Sequence, residues 1–166
     1  SISRLASLRS LNLKGCESLR DVSALSGLTS LTSLNLSNCQ ALTEISALAG
    51  LTALIDLDLS LCHSLTDISS ISSLTCLTSL NLSHCKSLAD ISAIKNLSLL
   101  KSLDLGNWPD FDKSFSTNGI VDISSLSGLR SLVELRMEHC KYLINIEPLA
   151  NLSSLANLEI SYCSSI

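Results

Sequence analysis

Leu31-Thr32-Ser33-Leu34-Asn35-Leu36-Ser37-Asn38-Cys39 decides the fold, because the chain writes it again every twenty-three residues. The pattern Leu-x-x-Leu-x-Leu-x-x-Cys begins at Leu8 (Leu11, Leu13, Cys16), at Leu31, at Leu54 (ending in Cys62) and at Leu77 (ending in Cys85). After two departures it returns at Leu132 (Leu135, Met137, Cys140) and Leu155 (Leu158, Ile160, Cys163). Between these segments a second apolar set steps by three: Leu42, Ile45, Leu48, Leu51, then Leu65, Ile68, Ile71, Leu74. A period in the twenties is the signature of a solenoid, in which no unit buries its apolar side alone. Solenoids present surfaces, so the pattern points to a binding module.

Alternation in Leu34-Asn35-Leu36 and its equivalents predicts a short strand buried on one face. Every unit is traversed in the same direction, so the strands lie parallel. Each unit then runs through stretches such as Asp67-Ile68-Ser69-Ser70-Ile71. Ser69 and Ser92 are placed to cap a short helical turn, and Pro148 suits its first position. Gly27, Gly50, Asn96, Gly128 and Asn151 recur where a left-handed residue would stop that turn. So short a turn should be mostly 3₁₀-like. The acidic column Asp21, Glu44, Asp67, Asp90, Asp122 is expected to bond turn N–H groups. The fold class is therefore an α/β solenoid.

Hydrophobic content is 46% but aromatic content only 3%, which suits a core made from many copies of one aliphatic shape. A net charge of −4 argues against nucleic acid, whose phosphates need Lys and Arg. No apolar run approaches the roughly 18 residues of a membrane span. The seven cysteines are the other constraint. Six (Cys16, Cys39, Cys62, Cys85, Cys140, Cys163) share one repeat position, so they should stack in a column with coils about 4.8 Å apart. Parallel Cβ vectors at that spacing suit neither a disulfide nor a tetrahedral zinc. The expectation is a row of buried, reduced thiols donating to nearby carbonyls, in a cytoplasmic, reducing setting. Cys76 lies off the column, and packing is expected for it too.

The pattern resembles the leucine-rich repeat family, in the short-repeat branch that includes internalins; Thr66 to Ile71 is similar to their Thr-Asp-Ile-x-x-Leu element. Cys stands where internalins place Asn, and each unit is one residue longer. Stretches such as Leu11-Asn12-Leu13-Lys14-Gly15-Cys16 look closer still to leucine-rich proteins of trypanosomes, among them an adenylate cyclase regulator. The resemblance implies an arc with a parallel β-sheet on its concave face and short 3₁₀ or helical turns on its convex face. It also implies one domain over 1–166, of about seven repeats, with both ends cut within a repeat.

On the concave face the x positions point outward. The column between the last two leucines runs Asn12, Asn35, Asp58, Asn81, Asp104, Arg136, Glu159, turning charged in the final units. Glu134, Arg136, Glu138, His139, Glu159 and Tyr162 crowd that end, with Lys101 and Asp104 beside them. An insertion over 109–119 breaks the beat, and Trp108, Phe111 and Phe115 there hold three of the five aromatics. Insertions in solenoids commonly carry binding, and aromatics supply hot-spot energy. Local packing of these rings is the competing expectation. These eleven residues are the candidate partner-binding set.

Weaker constellations fall away. Asp110-x-Asp112-x-Ser114 opens like a calcium loop, but Phe115 stands at the turn glycine and no Glu closes it. His84 and His139 share a column about 10 Å apart, too far for one metal. No catalytic residue, cofactor site or metal site is assigned, and the chain reads as a non-enzyme. The expected partner is a protein, which the module would bind and thereby regulate, with no nucleic acid, membrane insertion or small-molecule substrate. The alternative is a structural spacer or assembly element of a longer repeat array.

Overall fold

A computed structural model describes residues 2–107 and 118–166. Among them seven three-residue strands form one sheet in sequence order: β1 (Ser10–Asn12), β2 (Ser33–Asn35), β3 (Asp56–Asp58), β4 (Ser79–Asn81), β5 (Ser102–Asp104), β6 (Glu134–Arg136) and β7 (Asn157–Glu159). Every pairing is parallel. Leu34 sits opposite Leu57, Leu57 opposite Leu80 and Leu80 opposite Leu103, so the sequence period is the strand register. Across the insertion the register survives: Leu103 meets Leu135 and Asp104 meets Arg136.

Each coil buries its apolar residues only because another coil lies on each side. Leu57, Leu80 and Leu103 are 2%, 1% and 0% exposed, whereas the same position in the last coil, Leu158, is 46% exposed. Covering such a side chain is worth about 1.5–3 kcal/mol.

Behind the strands run 3₁₀ turns, among them Ser46–Gly50, Ser69–Ser73, Ser92–Asn96, Ser124–Gly128 and Glu147–Asn151. Their N-termini are held by the acidic column. Asp67 Oδ1 accepts the Ser69 N–H at 2.7 Å, Asp90 that of Ser92 at 2.8 Å and Asp122 that of Ser124 at 2.7 Å. Asp21 and Glu44 do the same, and Asn145 takes the part in the last coil. Bonds from the Ser23 hydroxyl and N–H hold the Asp21 carboxyl below the usual range; at Asp90 the Ser92 N–H contributes most. The serine-cap expectation is corrected here. Ser69 and Ser92 are the first turn residues and follow Ile68 and Ile91, so the acid two residues earlier is the acceptor. Pro148 lies at the start of its turn as expected.

The expected left-handed stop is also corrected. None of Gly27, Gly50, Asn96, Gly128 and Asn151 has a positive φ. The Ser23–Leu25 turn leaves through Ser26. The five-residue turns leave through a leucine instead, as at Leu74 with φ −84, ψ 56 and Leu97 with φ −80, ψ 59, where Thr75 N–H bonds to Ser73 O and Ser98 N–H to Asn96 O. That is an inverse γ-turn, which any L-residue can make. The left-handed residues lie elsewhere, just before the column cysteine: Gly15, Asn38, Leu61, His84, His139 and Tyr162, with φ between 55 and 75.

All seven cysteines are free. Five of the column Sγ–H groups reach back to the previous coil, among them Cys39 to Leu13 O at 3.4 Å, Cys62 to Leu36 O at 3.3 Å, Cys85 to Leu59 O at 3.2 Å and Cys163 to Met137 O at 3.1 Å. Cys140 reaches Leu105 O at 3.7 Å across the insertion. Burial pushes the Cys62 and Cys140 thiols up to about 12, and those of Cys39, Cys85 and Cys163 upward too. Two expectations of burial fail. Cys16, in the first coil, is exposed, and so is Cys76.

Candidate partner-binding face

The outward row on the concave sheet is less free than its sequence implies. In the first five coils its Asn or Asp turns back to accept the N–H two residues on: Asn12 from Lys14, Asn35 from Ser37, Asp58 from Ser60, Asn81 from Ser83 and Asp104 from Gly106, all at 2.8–2.9 Å. The hydroxyls of Ser37, Ser60 and Ser83 donate to the same oxygens at 2.7 Å. Asn35 further donates to Asp58 Oδ2 at 3.3 Å. This ladder fixes the turn after each strand. It was missed in the sequence, although an Asn or Asp followed by Ser two residues later is its mark.

The ladder stops after β5. Arg136 and Glu159 continue the row in β6 and β7 and pair with each other instead, Arg136 Nε to Glu159 at 3.2 Å. Arg136 also holds Glu134 at 2.7 Å, and the Ser102 hydroxyl donates to the other oxygen of Glu134 at 3.3 Å. Asp104, directly across from Arg136, is half-buried. Burial pushes its carboxyl above the usual range, the Gly106 N–H and the Arg136 charge pull it back, and Glu138 and Glu159 push it up again. Gly106 stands where the preceding coils have the ladder serine, so Asp104 receives the N–H from that position without a hydroxyl. A Cβ built at Gly106 would lie 3.2 Å from Asp104 Oδ1, 3.4 Å from the Glu138 backbone N and 3.6 Å from Glu138 Oε2, so both carboxylates close in on the outer side of Gly106 and leave little room for a side chain there.

Beside them His139 and Tyr162, successive members of the left-handed column, stack with ring centroids 4.5 Å apart and planes at 8°. Tyr162 is 77% exposed. Tyr142, which the sequence reading passed over, is half-exposed with Lys141 Nζ 5.7 Å from its ring. Lys101 is exposed at the start of β5. The structure thus brings together eight of the eleven candidates: Lys101, Asp104, Glu134, Arg136, Glu138, His139, Glu159 and Tyr162. The other three, Trp108, Phe111 and Phe115, lie outside the described residues, as does the Asp110–Ser114 stretch.

Flanking that segment are two buried carboxamides, Asn107 and Asn118, 0% and 1% exposed. Both donate to Leu105 O, at 3.4 Å and 3.0 Å, the carbonyl that also receives Cys140. Among the described residues no cluster of His, Cys, Asp or Glu is arranged to hold a metal ion. On the outer side, clefts between the turns are lined by Asp67, Ser69, Asp90 and Ser92, whose carboxylates already serve the turns. The concave end is different: charged, aromatic and open.

The family model described as Leucine Rich repeats (2 copies) matches residues 6–50, and the one described as Leucine Rich repeat matches residues 73–95. The chain is a leucine-rich repeat protein. No match was found among curated protein sequences. Of the solved structures it resembles, an internalin of Listeria monocytogenes is 30% identical over 97% of this chain and 56% of its own, with a TM-score of 0.60. Internalin C2 of the same species is 24% identical, over 94% and 82% of the two chains, with a TM-score of 0.53. A leucine-rich repeat protein of Leptospira interrogans is 18% identical, over 96% and 38%, with a TM-score of 0.68, a likeness of fold alone. The chain therefore spans about half the length of the first internalin. The internalin branch of the resemblance has structural counterparts here; the trypanosome likeness rests on repeat sequence. Leucine-rich repeat proteins generally mediate protein–protein interaction, and among the described residues no helix is long and apolar enough to cross a membrane.

Proposed function

We propose that this leucine-rich repeat protein binds and regulates a protein partner through the concave face of its last three coils, those of β5, β6 and β7. The observation that carries the reading is the end of the Asn/Asp ladder. Through the coil of β5 the outward row is consumed by the backbone, while Arg136 and Glu159 bond only to side chains. A side chain released from structural duty is available to a partner. Tyr162, mostly exposed and held rigid against His139, supplies an amphipathic anchor of the type that dominates interfaces. The loop over 108–119 adds Trp108, Phe111 and Phe115 on the strength of its sequence. Free thiols along the column suit a reducing, cytoplasmic setting.

The test is capture of partners from the source cell by the intact chain beside two variants. Glu159→Lys with Tyr162→Ala alters the concave face; Lys95→Glu alters an exposed convex residue. Loss of a captured partner by at least about tenfold with the first variant alone supports the reading. Retention by both variants, or equal loss in both, removes the concave face from consideration.

A further inference from the structure

Four carboxylates, Asp104, Glu134, Glu138 and Glu159, share this face with two cations, Lys101 and Arg136, which leaves a residual charge of −2. The distribution is uneven as well as unbalanced. Arg136 is already divided between Glu134 and Glu159 at 2.7 Å and 3.2 Å. Neither of these ion pairs includes Asp104 or Glu138, whose carboxylate oxygens both lie within 3.6 Å of the point where a Gly106 Cβ would stand. In the three preceding coils a serine hydroxyl fills that place and donates to the row. Here no serine hydroxyl occupies that position, and the carboxylates named outnumber the cations beside them. Next along the chain from Glu138 stands the stacked pair of His139 and Tyr162, the latter with its ring open to solvent. Aromatic faces attract ammonium and guanidinium groups.

We infer that this unpartnered sheet face docks a lysine- or arginine-bearing segment of the protein partner, one cation entering over Gly106 between Asp104 and Glu138 and an adjacent one lying on Tyr162. The inference rests on the reading above and specifies the partner's chemistry. An acidic or purely apolar segment would meet the surplus carboxylates unpaired, at a cost in affinity. Long-range attraction between such surfaces is screened within about 10 Å at 0.1 M salt, so binding should weaken as salt rises.

Fluorescence anisotropy of the full chain with three synthetic octapeptides, alternating Lys-Ser, Gln-Ser and Glu-Ser, tests this directly. The lysine peptide should bind, weaken with added salt, and outcompete the other two. Glu138→Gln with Glu159→Gln should weaken it by about fivefold or more, and Tyr162→Ala by about threefold. Glu17→Gln with Glu147→Gln removes the same charge from two exposed residues elsewhere and should change affinity less than about twofold. All of these are surface changes, and circular dichroism melts confirm that each variant is folded. No binding of the lysine peptide, preference for the glutamate peptide, or equal weakening by the control pair would overturn the inference. If a captured partner is lost on altering the face while the lysine peptide fails to bind, the partner's chemistry is wrong and the concave site stands. If altering the face affects no partner, both are wrong.

Discussion

Asn81 and Glu159 occupy the same repeat position, yet truncating them to alanine should have very different consequences. Asn81 Oδ1 accepts the Ser83 N–H at 2.9 Å and the Ser83 hydroxyl at 2.7 Å, and Ser83 is only 8% exposed. Asn81→Ala leaves both donors without that acceptor, next to packed coils on either side. One lost bond costs about 1 kcal/mol net, and a buried donor left unmet costs about 1–3 kcal/mol. The hydroxyl can turn elsewhere and the amide cannot, so about 2 kcal/mol is the expected total. In a chain of this size that corresponds to a fall of roughly 4–8 °C in melting temperature. Glu159 by contrast is half of an ion pair with both partners about half-exposed, 44% for Arg136 and 52% for Glu159. Such pairs contribute about 0–1 kcal/mol. Urea unfolding followed by circular dichroism measures both variants, with Asn81→Asp as a third. Aspartate keeps the acceptor but sets a third carboxylate between Asp58 and Asp104, its register partners, so it should lose less than alanine while falling short of wild type. Equal losses from Asn81→Ala and Glu159→Ala would refute the division between structural and available positions, and with it the basis of the proposed site.

Two further outcomes follow from the coil interior. The buried column thiols keep their protons when folded, Cys62 and Cys140 up to about 12, whereas an unfolded chain releases them near the ordinary thiol value of about 8.5–9. Stability should therefore be fully present below about pH 8.5 and fall as pH rises toward 12, by up to about 4 kcal/mol for each of these two thiols; a flat urea midpoint between pH 8 and about 10.5 contradicts the burial argument. Leu61 adopts φ 61, where L-residues are strained by about 1–2 kcal/mol, while Asn38 fills the same position one coil earlier. Leu61→Asn should raise stability by about 0.5–1 kcal/mol, and a lowered urea midpoint would show that leucine packing outweighs the strain.

What was legible in the sequence is whatever depends on one coil lying on the next. Leu34, Leu57, Leu80 and Leu103 recur every twenty-three residues because they meet across the sheet, so period and register are one fact. The thiol-to-carbonyl bonds were readable for the same reason, since a column of cysteines faces a column of backbone one coil back. What escaped was decided within two or three residues of chain. Whether Asn81 faces a partner or its own Ser83 N–H is a matter of local turn geometry, and both readings leave it in an outward row. Gly50 and Gly128 read as stops because glycine often is one, but Leu51 at φ −89, ψ 51 and the inverse γ-turn at Leu129 end the turns without a left-handed residue. The true left-handed position was hidden by its variety, from Gly15 to Leu61 to Tyr162.

That variety also bears on function. A left-handed residue just before the column cysteine is required by the turn, but its side chain is not, so selection on the turn alone favours glycine or asparagine, as at Gly15 and Asn38. His139 and Tyr162 carry a backbone cost in the two coils where the Asn/Asp ladder is abandoned for Arg136 and Glu159, but Leu61 and His84 carry the same cost in coils that keep the ladder. What sets the last two coils apart, among the described residues, is that the two rings stack. The stacked rings and the abandoned ladder therefore coincide in the coils of β6 and β7. A pair of rings stacked where the turn requires neither, one of them largely exposed, points to work done outside the fold. If that work is partner binding, replacing His139 and Tyr162 together with glycine should leave the chain at least as stable while weakening the partner. A double variant that lost stability instead would show that the stacked rings serve the turn, and the concave site would have to stand on its charges alone.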